Sequence, residues 1–287
     1  METMIEQQRK EKTPRKRPPS EQESNKQPLS VQIPQETETV SLNGRSEVMK
    51  KVHFILQKKG GVGKSVAALM LAQYLRSINE PVEVIDTDPS NATLFSYKAL
   101  NGQRIQLMEG NVLNEAKFDL MMNRVLEEDS SFVIDCGASS FIPLSNYMIE
   151  NKVADMIAAS GKQVVAHTVI VGESNLDDTL TSFAELAEQM PKEVQIIVWL
   201  NEYFGKIEVD GTPFEEMSVY LDNESRVHGI VCLPKRNPAT FGADIEKMLT
   251  ARLTFDEVRQ SPQFFIMNKS RIFRVQQEIY HQLQAVL

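Results

Sequence analysis

The feature that most constrains this chain is the octapeptide Lys58-Lys59-Gly60-Gly61-Val62-Gly63-Lys64-Ser65. It lies between an apolar run, KVHFILQ, and a helix-periodic run, VAALMLAQYLRSI. A phosphate chain needs several backbone N–H groups aimed inward, and glycine lets the backbone curl that tightly without a Cβ clash. The start of the following helix adds unpaired amides and the positive end of its dipole. In such a loop the amides from Gly60, Gly61, Val62, Gly63, Lys64, Ser65 and Val66 would cradle phosphate. Lys64 would reach the β- and γ-phosphates, and the Ser65 hydroxyl would hold Mg²⁺. One position departs from the usual G-x-x-x-x-G-K-[ST] pattern, because Lys58 stands where glycine is expected.

The remainder of the chain repeats the alternation of strand and helix. PVEVIDTDP, SFVIDCG, QVVAHTVIVG, VQIIVWLNEYFG and RVHGIVCLPKRNP read as strands. LTSFAELAEQM and a segment from about Ala243 read as helices. Strands that are nearly all apolar and alternate with helices predict a parallel sheet covered on both faces. The expected fold is α/β of the P-loop NTPase kind, a mostly parallel twisted sheet in one domain over 49–287. Residues 1–48 contain no Phe, Tyr or Trp and are rich in Gln, Glu, Lys, Arg and Pro. Such a segment buries too little apolar surface to offset the entropy of ordering, so a disordered tail is expected. Its basic cluster, Arg9–Arg17, reads as a solvated tail or as an electrostatic tether for nucleic acid or a partner.

Composition excludes several classes. A net charge of -8 argues against coating DNA or anionic membrane through bulk charge. Two cysteines, Cys136 and Cys232, are too few for a disulfide scaffold or a four-Cys metal site, and they suit a cytoplasmic protein. No stretch approaches the roughly 18 apolar residues of a membrane span, and the N-terminus has no apolar secretory core. The four histidines, His53, His167, His228 and His281, lack metal-ligand spacing and read as core or surface residues.

Ligands of open α/β sheets sit beyond the carboxyl ends of the strands, and acidic residues fall there twice. Pro89 stops the strand after Ile85-Asp86-Thr87-Asp88, which puts Asp86 and Asp88 near the mouth of the loop. Val133-Ile134-Asp135 is a second apolar strand ending in a carboxylate. An Mg²⁺ held by Ser65 keeps several waters, and Asp135 suits the ordering of those waters. Asn201 ends a further strand, and the turn Leu233–Pro238, with Pro234, would flank a base. Cys136 reads as a small packing residue.

The spacing K-G-G-V-G-K-S resembles the deviant phosphate loop of the ParA/MinD family of ATPases, which tolerates a non-glycine at the position of Lys58. The resemblance implies ATP and Mg²⁺ as ligands and an ATP-dependent homodimer. It implies that Lys59, five residues before Lys64, reaches across that dimer to the partner's phosphates. It also implies that Asp88, 24 residues after Lys64, positions the attacking water, and that Asp86 supports the metal and the switch segment. Asn201 would read the adenine edge, since a side-chain amide both donates and accepts. The family usually has a proline soon after the strand-end aspartate, and this chain has Asp135-Cys136-Gly137-Ala138 instead. Blocks such as IDTDPSNATLFSYKALN and VIDCGASSFIPLSNYMI are similar to the TraL-type nucleotide-binding family of conjugative plasmids, over roughly 51–287. That likeness implies a part in conjugal transfer, with relaxosome or secretion-channel proteins as partners.

The expected activity is therefore slow ATP hydrolysis by a dimerising switch. The rivals are a membrane-cycling positioning ATPase and a nucleotide-binding scaffold without hydrolysis. A metal-cluster carrier would need a C-x-x-C pair, and a small-molecule kinase an Arg-rich lid; neither signal is present. Ile272, Phe273, Val275, Ile279, Leu283 and Val286 form an apolar stripe on a C-terminal helix. With glutamines rather than cations on most of its polar face, it is expected to pack into the core rather than hold membrane. Its basic start, Lys269–Arg274, is a candidate DNA contact.

Overall fold

Seven strands carry the molecule in a computed structural model that describes residues 49–110 and 112–287. The expected tail and its Arg9–Arg17 cluster lie outside the described residues. The strands are β1 (Lys51–Ile55), β2 (Val82–Asp86), β3 (Gln103–Arg104), β4 (Ser131–Asp135), β5 (Gln163–Val171), β6 (Gln195–Asn201) and β7 (Val227–Leu233). They lie in the order β7-β6-β5-β1-β4-β2-β3. Every neighbouring pair is parallel.

The near-continuous apolar character of the strands follows from burial on both faces. Alternate residues serve opposite layers. In β5, Val164, Ala166 and Ile170 face one core, and Val165, Val169 and Val171 face the other. In β6, Ile196, Val198 and Leu200 oppose Ile197 and Trp199 in the same way. The first core is closed by α2 (Glu115–Glu127), α3 (Phe141–Glu150), α4 (Val153–Ala159) and α5 (Leu176–Gln189). The second is closed by α1 (Lys64–Ser77), α6 (Ala243–Thr250), α7 (Phe255–Gln260) and α8 (Ile266–Val286). Helix α1 is apolar nearly all round because it is wedged between the sheet and α8.

Most of the expected stripe on α8 is core, while Phe273 is exposed and Val286 only partly buried. Ile272, Val275, Ile279 and Leu283 are all buried in the second layer. The helix lies so close to β7 that a Cβ on Gly229 would stand 2.6 Å from Val286 Cγ1. Gln282 reinforces this contact: its Oε1 accepts from the Cys232 N–H (2.6 Å) and its Nε2 donates to the Cys232 carbonyl (3.0 Å). The amide thus occupies backbone groups that an edge strand otherwise leaves open. The cations at the start of α8 are engaged within the chain. Lys269 donates to the Arg259 carbonyl (2.9 Å), Arg271 pairs with Asp244, and Arg274 lies over the Phe241 ring. No helix among the described residues is long and apolar enough to cross a membrane.

Beneath α1 the second face of the sheet carries a polar chain. Trp199 Nε1 donates to His167 Nδ1 (3.0 Å), so that nitrogen is an acceptor. The Nε2–H of His167 then donates to His53 Nδ1 (2.9 Å). The far nitrogen, His53 Nε2, is buried without a partner among the described residues. Burial holds both rings neutral and pushes both pKa values down, that of His167 to about 3.

Candidate functional site

The phosphate loop leaves β1 at the centre of the sheet, where the chain's crossovers diverge to either side. Its entry is tied to the neighbouring strand β5. Gln57 accepts from the Lys59 N–H (3.2 Å) and donates to the Val169 carbonyl of β5 (2.9 Å). Gly61 and Gly63 take positive φ values, 75° and 103°, which a side chain would strain. Gly63 also caps α1, its carbonyl accepting from the Val66 and Ala67 N–H groups. Lys64 is buried, its Nζ donating to the Lys59 carbonyl (3.0 Å). Burial pulls its pKa down, and the charges of Asp135 and Asp88 pull it back up.

Three strands end level at this loop. Ile55 of β1 is in register with Asp135 of β4, and Asp135 with Asp86 of β2. Both carboxylates are buried. Burial raises the Asp135 pKa to about 7, opposed by the Ser65 hydroxyl and Lys64 and assisted by the negative charge of Asp86. Asp135 Oδ2 has no hydrogen-bond partner among the described residues. A buried, unpaired carboxylate oxygen beside a phosphate-loop serine fits the water shell of Mg²⁺. Asp86 is used differently. Its Oδ1 accepts from the Asp88 N–H (3.0 Å) and its Oδ2 from the Phe95 N–H (2.9 Å), so it supports the whole segment after β2. Burial raises its pKa, and those two amides restrain it.

Asp88 caps a turn, accepting from the Ser90 (2.8 Å) and Asn91 (3.0 Å) N–H groups. Across from it, a Cβ on Gly137 would stand 2.9 Å from Pro89 Cδ and 3.1 Å from Asp88 Cα. The segment after β4 is therefore packed directly on the segment after β2, and glycine is what permits it. Cys136 is fully buried and burial pushes its thiol pKa up, which leaves a neutral packing group.

The two lysines at the head of the loop point to α5. Lys59 Nζ stands 2.7 Å from Asp178 Oδ2, and Lys58 pairs with Glu185 while lying 5.6 Å over the Phe141 ring. On the opposite side a cavity of about 570 Å³ runs from Gly61, Gly63 and Val66 to Leu249 and Val275. Asn201 and Pro234 line it, together with Tyr203 and Phe204. Its size and mainly apolar wall are those of a small-molecule site. Sequence reasoning missed Tyr203, Phe204 and Asp178. The first two are an aromatic pair two and three positions after Asn201, and Asp178 lies in the acidic first turn of α5. No cluster of His, Cys, Asp and Glu able to hold a metal by itself is found among the described residues.

Comparison with known proteins places the chain in a family. The family model described as the CobQ/CobB/MinD/ParA nucleotide binding domain matches residues 53–249. Protein TraL from Escherichia coli is 43% identical over 237 residues, covering 83% of this chain and 98% of TraL. A second Escherichia coli Protein TraL is 42% identical over 236 residues, covering 82% and 98%. Among solved structures, the MinC:MinD cell division protein complex of Aquifex aeolicus is 12% identical with a TM-score of 0.47, covering 82% of this chain and 96% of that one. The septum site-determining protein MinD with Mg-ADP from Pyrococcus horikoshii OT3 is 16% identical with a TM-score of 0.44, covering 80% and 96%.

Proposed function

Since the chain belongs to the CobQ/CobB/MinD/ParA nucleotide-binding family, in a TraL-like branch of it, we propose that it is an ATP-dependent molecular switch of conjugal plasmid transfer. It binds Mg²⁺ and ATP, self-associates in the ATP state and hydrolyses slowly to separate again. One observation carries the reading: the buried carboxylate of Asp135, with its unpaired oxygen, meets Ser65 and Lys64 at the glycine-lined start of α1.

Each residue's part follows from its position. The amides from Gly60 to Val66 bind the phosphates, and Lys64 neutralises the β- and γ-oxygens. Ser65 and, through water, Asp135 hold Mg²⁺, which when bound offsets the negative charge of the phosphates. Asp88 orients the attacking water, and Asp86 keeps Asp88 in place through its backbone N–H. Lys59 leaves Asp178 and reaches the nucleotide of a second copy. Pro234, Tyr203 and Phe204 enclose the base.

Relaxosome or secretion-channel proteins fit as partners through the TraL likeness. Burial of Ile272, Val275, Ile279 and Leu283 in the core commits most of the α8 stripe and weighs against its use as a membrane anchor. Sedimentation of the full chain with ATP, ADP and no nucleotide tests the switch. ATP alone should raise the mass, and Lys59→Ala should abolish the rise. A monomer under all three conditions would refute the dimerising part of the reading.

A further inference from the structure

Asn201 is the last residue of β6, and its side chain is buried against the phosphate loop. Both ends of its amide are in use. Nδ2 donates to the Val62 carbonyl at 2.9 Å, and Oδ1 accepts from the Tyr203 N–H at 3.2 Å. The fit is close, because a Cβ on Gly63 would stand 2.7 Å from that Nδ2.

The loop needs such a support. A loop whose N–H groups turn inward to phosphate has carbonyls that face the protein, and a buried carbonyl without a donor is costly. Val62 lies between Gly61 and Gly63, the residues of the loop at positive φ, so its carbonyl sits where the backbone torsions are least restrained. A donor delivered from a rigid strand fixes those torsions before any ligand arrives. The same side chain fixes the turn that brings Tyr203 and Phe204 to the cavity.

We propose that Asn201 is a positioning residue for the phosphate loop, acting through the Val62 carbonyl, and that phosphate affinity depends on it more than base selection does. This rests on the nucleotide reading above and changes the role that the family resemblance implies for Asn201. A strut and a base reader predict opposite results with a ligand that has no base.

Inorganic tripolyphosphate is that ligand. Its affinity, with those of ATP and GTP, is measured with Mg²⁺ on the full chain by competition against a fluorescent ATP analogue. Wild type is compared with Asn201→Ala and Asn201→Asp. The aspartate keeps the acceptor for Tyr203 and the shape, loses the donor to Val62 and adds a negative charge, so Asn201→Leu, near in shape and uncharged, is the control for charge. Tripolyphosphate and ATP should both weaken by the same factor, about tenfold or more, with the ratio of ATP to GTP affinity unchanged.

Unchanged tripolyphosphate binding with weakened ATP, or a collapse of the ATP-to-GTP ratio, overturns the proposal. So does a lowered melting temperature with intact tripolyphosphate affinity, which is the result for a purely structural residue. Should the alanine variant fail to fold, the leucine variant decides alone. Wild-type protein that binds neither ATP nor tripolyphosphate defeats the nucleotide reading itself. Wild type that binds ATP while tripolyphosphate fails to compete defeats only the strut.

Discussion

Lys59 Nζ lies 2.7 Å from Asp178 Oδ2, across 119 positions of sequence, so the lysine assigned to a second subunit's nucleotide is held on its own α5. Both side chains are well exposed. An exposed pair of this kind is worth about 0.2–1 kcal/mol, little enough to be exchanged for contact with a triphosphate. Asp178→Asn should therefore move the melting temperature only slightly while lowering the ATP concentration at half-maximal self-association. Sedimentation over an ATP titration checks this. An unchanged or higher midpoint would show that the ion pair does not restrain Lys59.

Asp88 has both a structural and a chemical assignment. Asp88→Ala removes an acceptor for two turn amides, and loss of such a cap costs about 0.5–2 kcal/mol. If it also orients the attacking water, phosphate release should fall by about 100-fold or more while ATP affinity stays within a few-fold. Single-turnover phosphate release and equilibrium binding on the same variant separate the two effects. Equal rates near zero in wild type and variant would instead support a scaffold that does not hydrolyse.

The Asp135 carboxyl gives the site a pH signature. Its folded pKa of about 7 lies above the ordinary carboxylate value of about 4. Between those values the folded protein without ligand holds a proton that the unfolded chain does not. Its contribution to stability is present at low pH and lost as pH rises toward 7. A magnesium ion and its water shell favour the ionised form. Binding Mg²⁺ and ATP near pH 7 should therefore release a fraction of a proton from this group. Calorimetry in buffers of different ionisation enthalpy measures it, and Asp135→Asn should remove it. Equal release from the variant would assign the proton elsewhere.

The histidine pair acts with the opposite sign. Folded pKa values below the ordinary 6.5 or so mean that the unfolded chain binds protons first as pH falls. Stability contributed by the neutral rings is complete above about pH 6.5 and declines as pH falls below it, for His167 by about 1.4 kcal/mol per pH unit down to its folded value of about 3. Urea unfolding at pH 7.5 and pH 5 should show this decline, and His53→Asn with His167→Asn should flatten it. Trp199→Phe leaves His167 Nδ1 buried without its donor and should cost about 1–3 kcal/mol at pH 7.5. An acid slope as steep in the double variant as in wild type would remove the pair from the account.

Much of this architecture was legible in the residues. Six of the seven sheet strands are largely apolar runs of ordinary length, and they fold where those runs predict. The seventh, β3, is two exposed polar residues, Gln103 and Arg104, which carry no periodic signal. Helix α2 is not among the helices expected above, although Asn114 caps it and Phe118, Met121, Met122 and Val125 form its buried stripe at helical spacing. The phosphate loop, Asp86 and Asp135 were legible because short motifs place them at strand ends. The pairing of Asn201 with Val62 was not, since it joins residues 139 apart and depends on the sheet order. The same holds for Gly137 against Pro89, whose close contact requires β2 and β4 to be neighbours.

The most direct test is isothermal titration of the full chain with a nonhydrolysable ATP analogue and Mg²⁺, for wild type and Lys64→Ala. Lys64 is buried at the start of α1, within reach of the charges of Asp135 and Asp88. Saturable heat near one nucleotide per chain in wild type, lost or weakened at least about tenfold in the variant, is the expected result. Wild-type protein that takes up no nucleotide, or a variant that binds as tightly as wild type, would contradict the account.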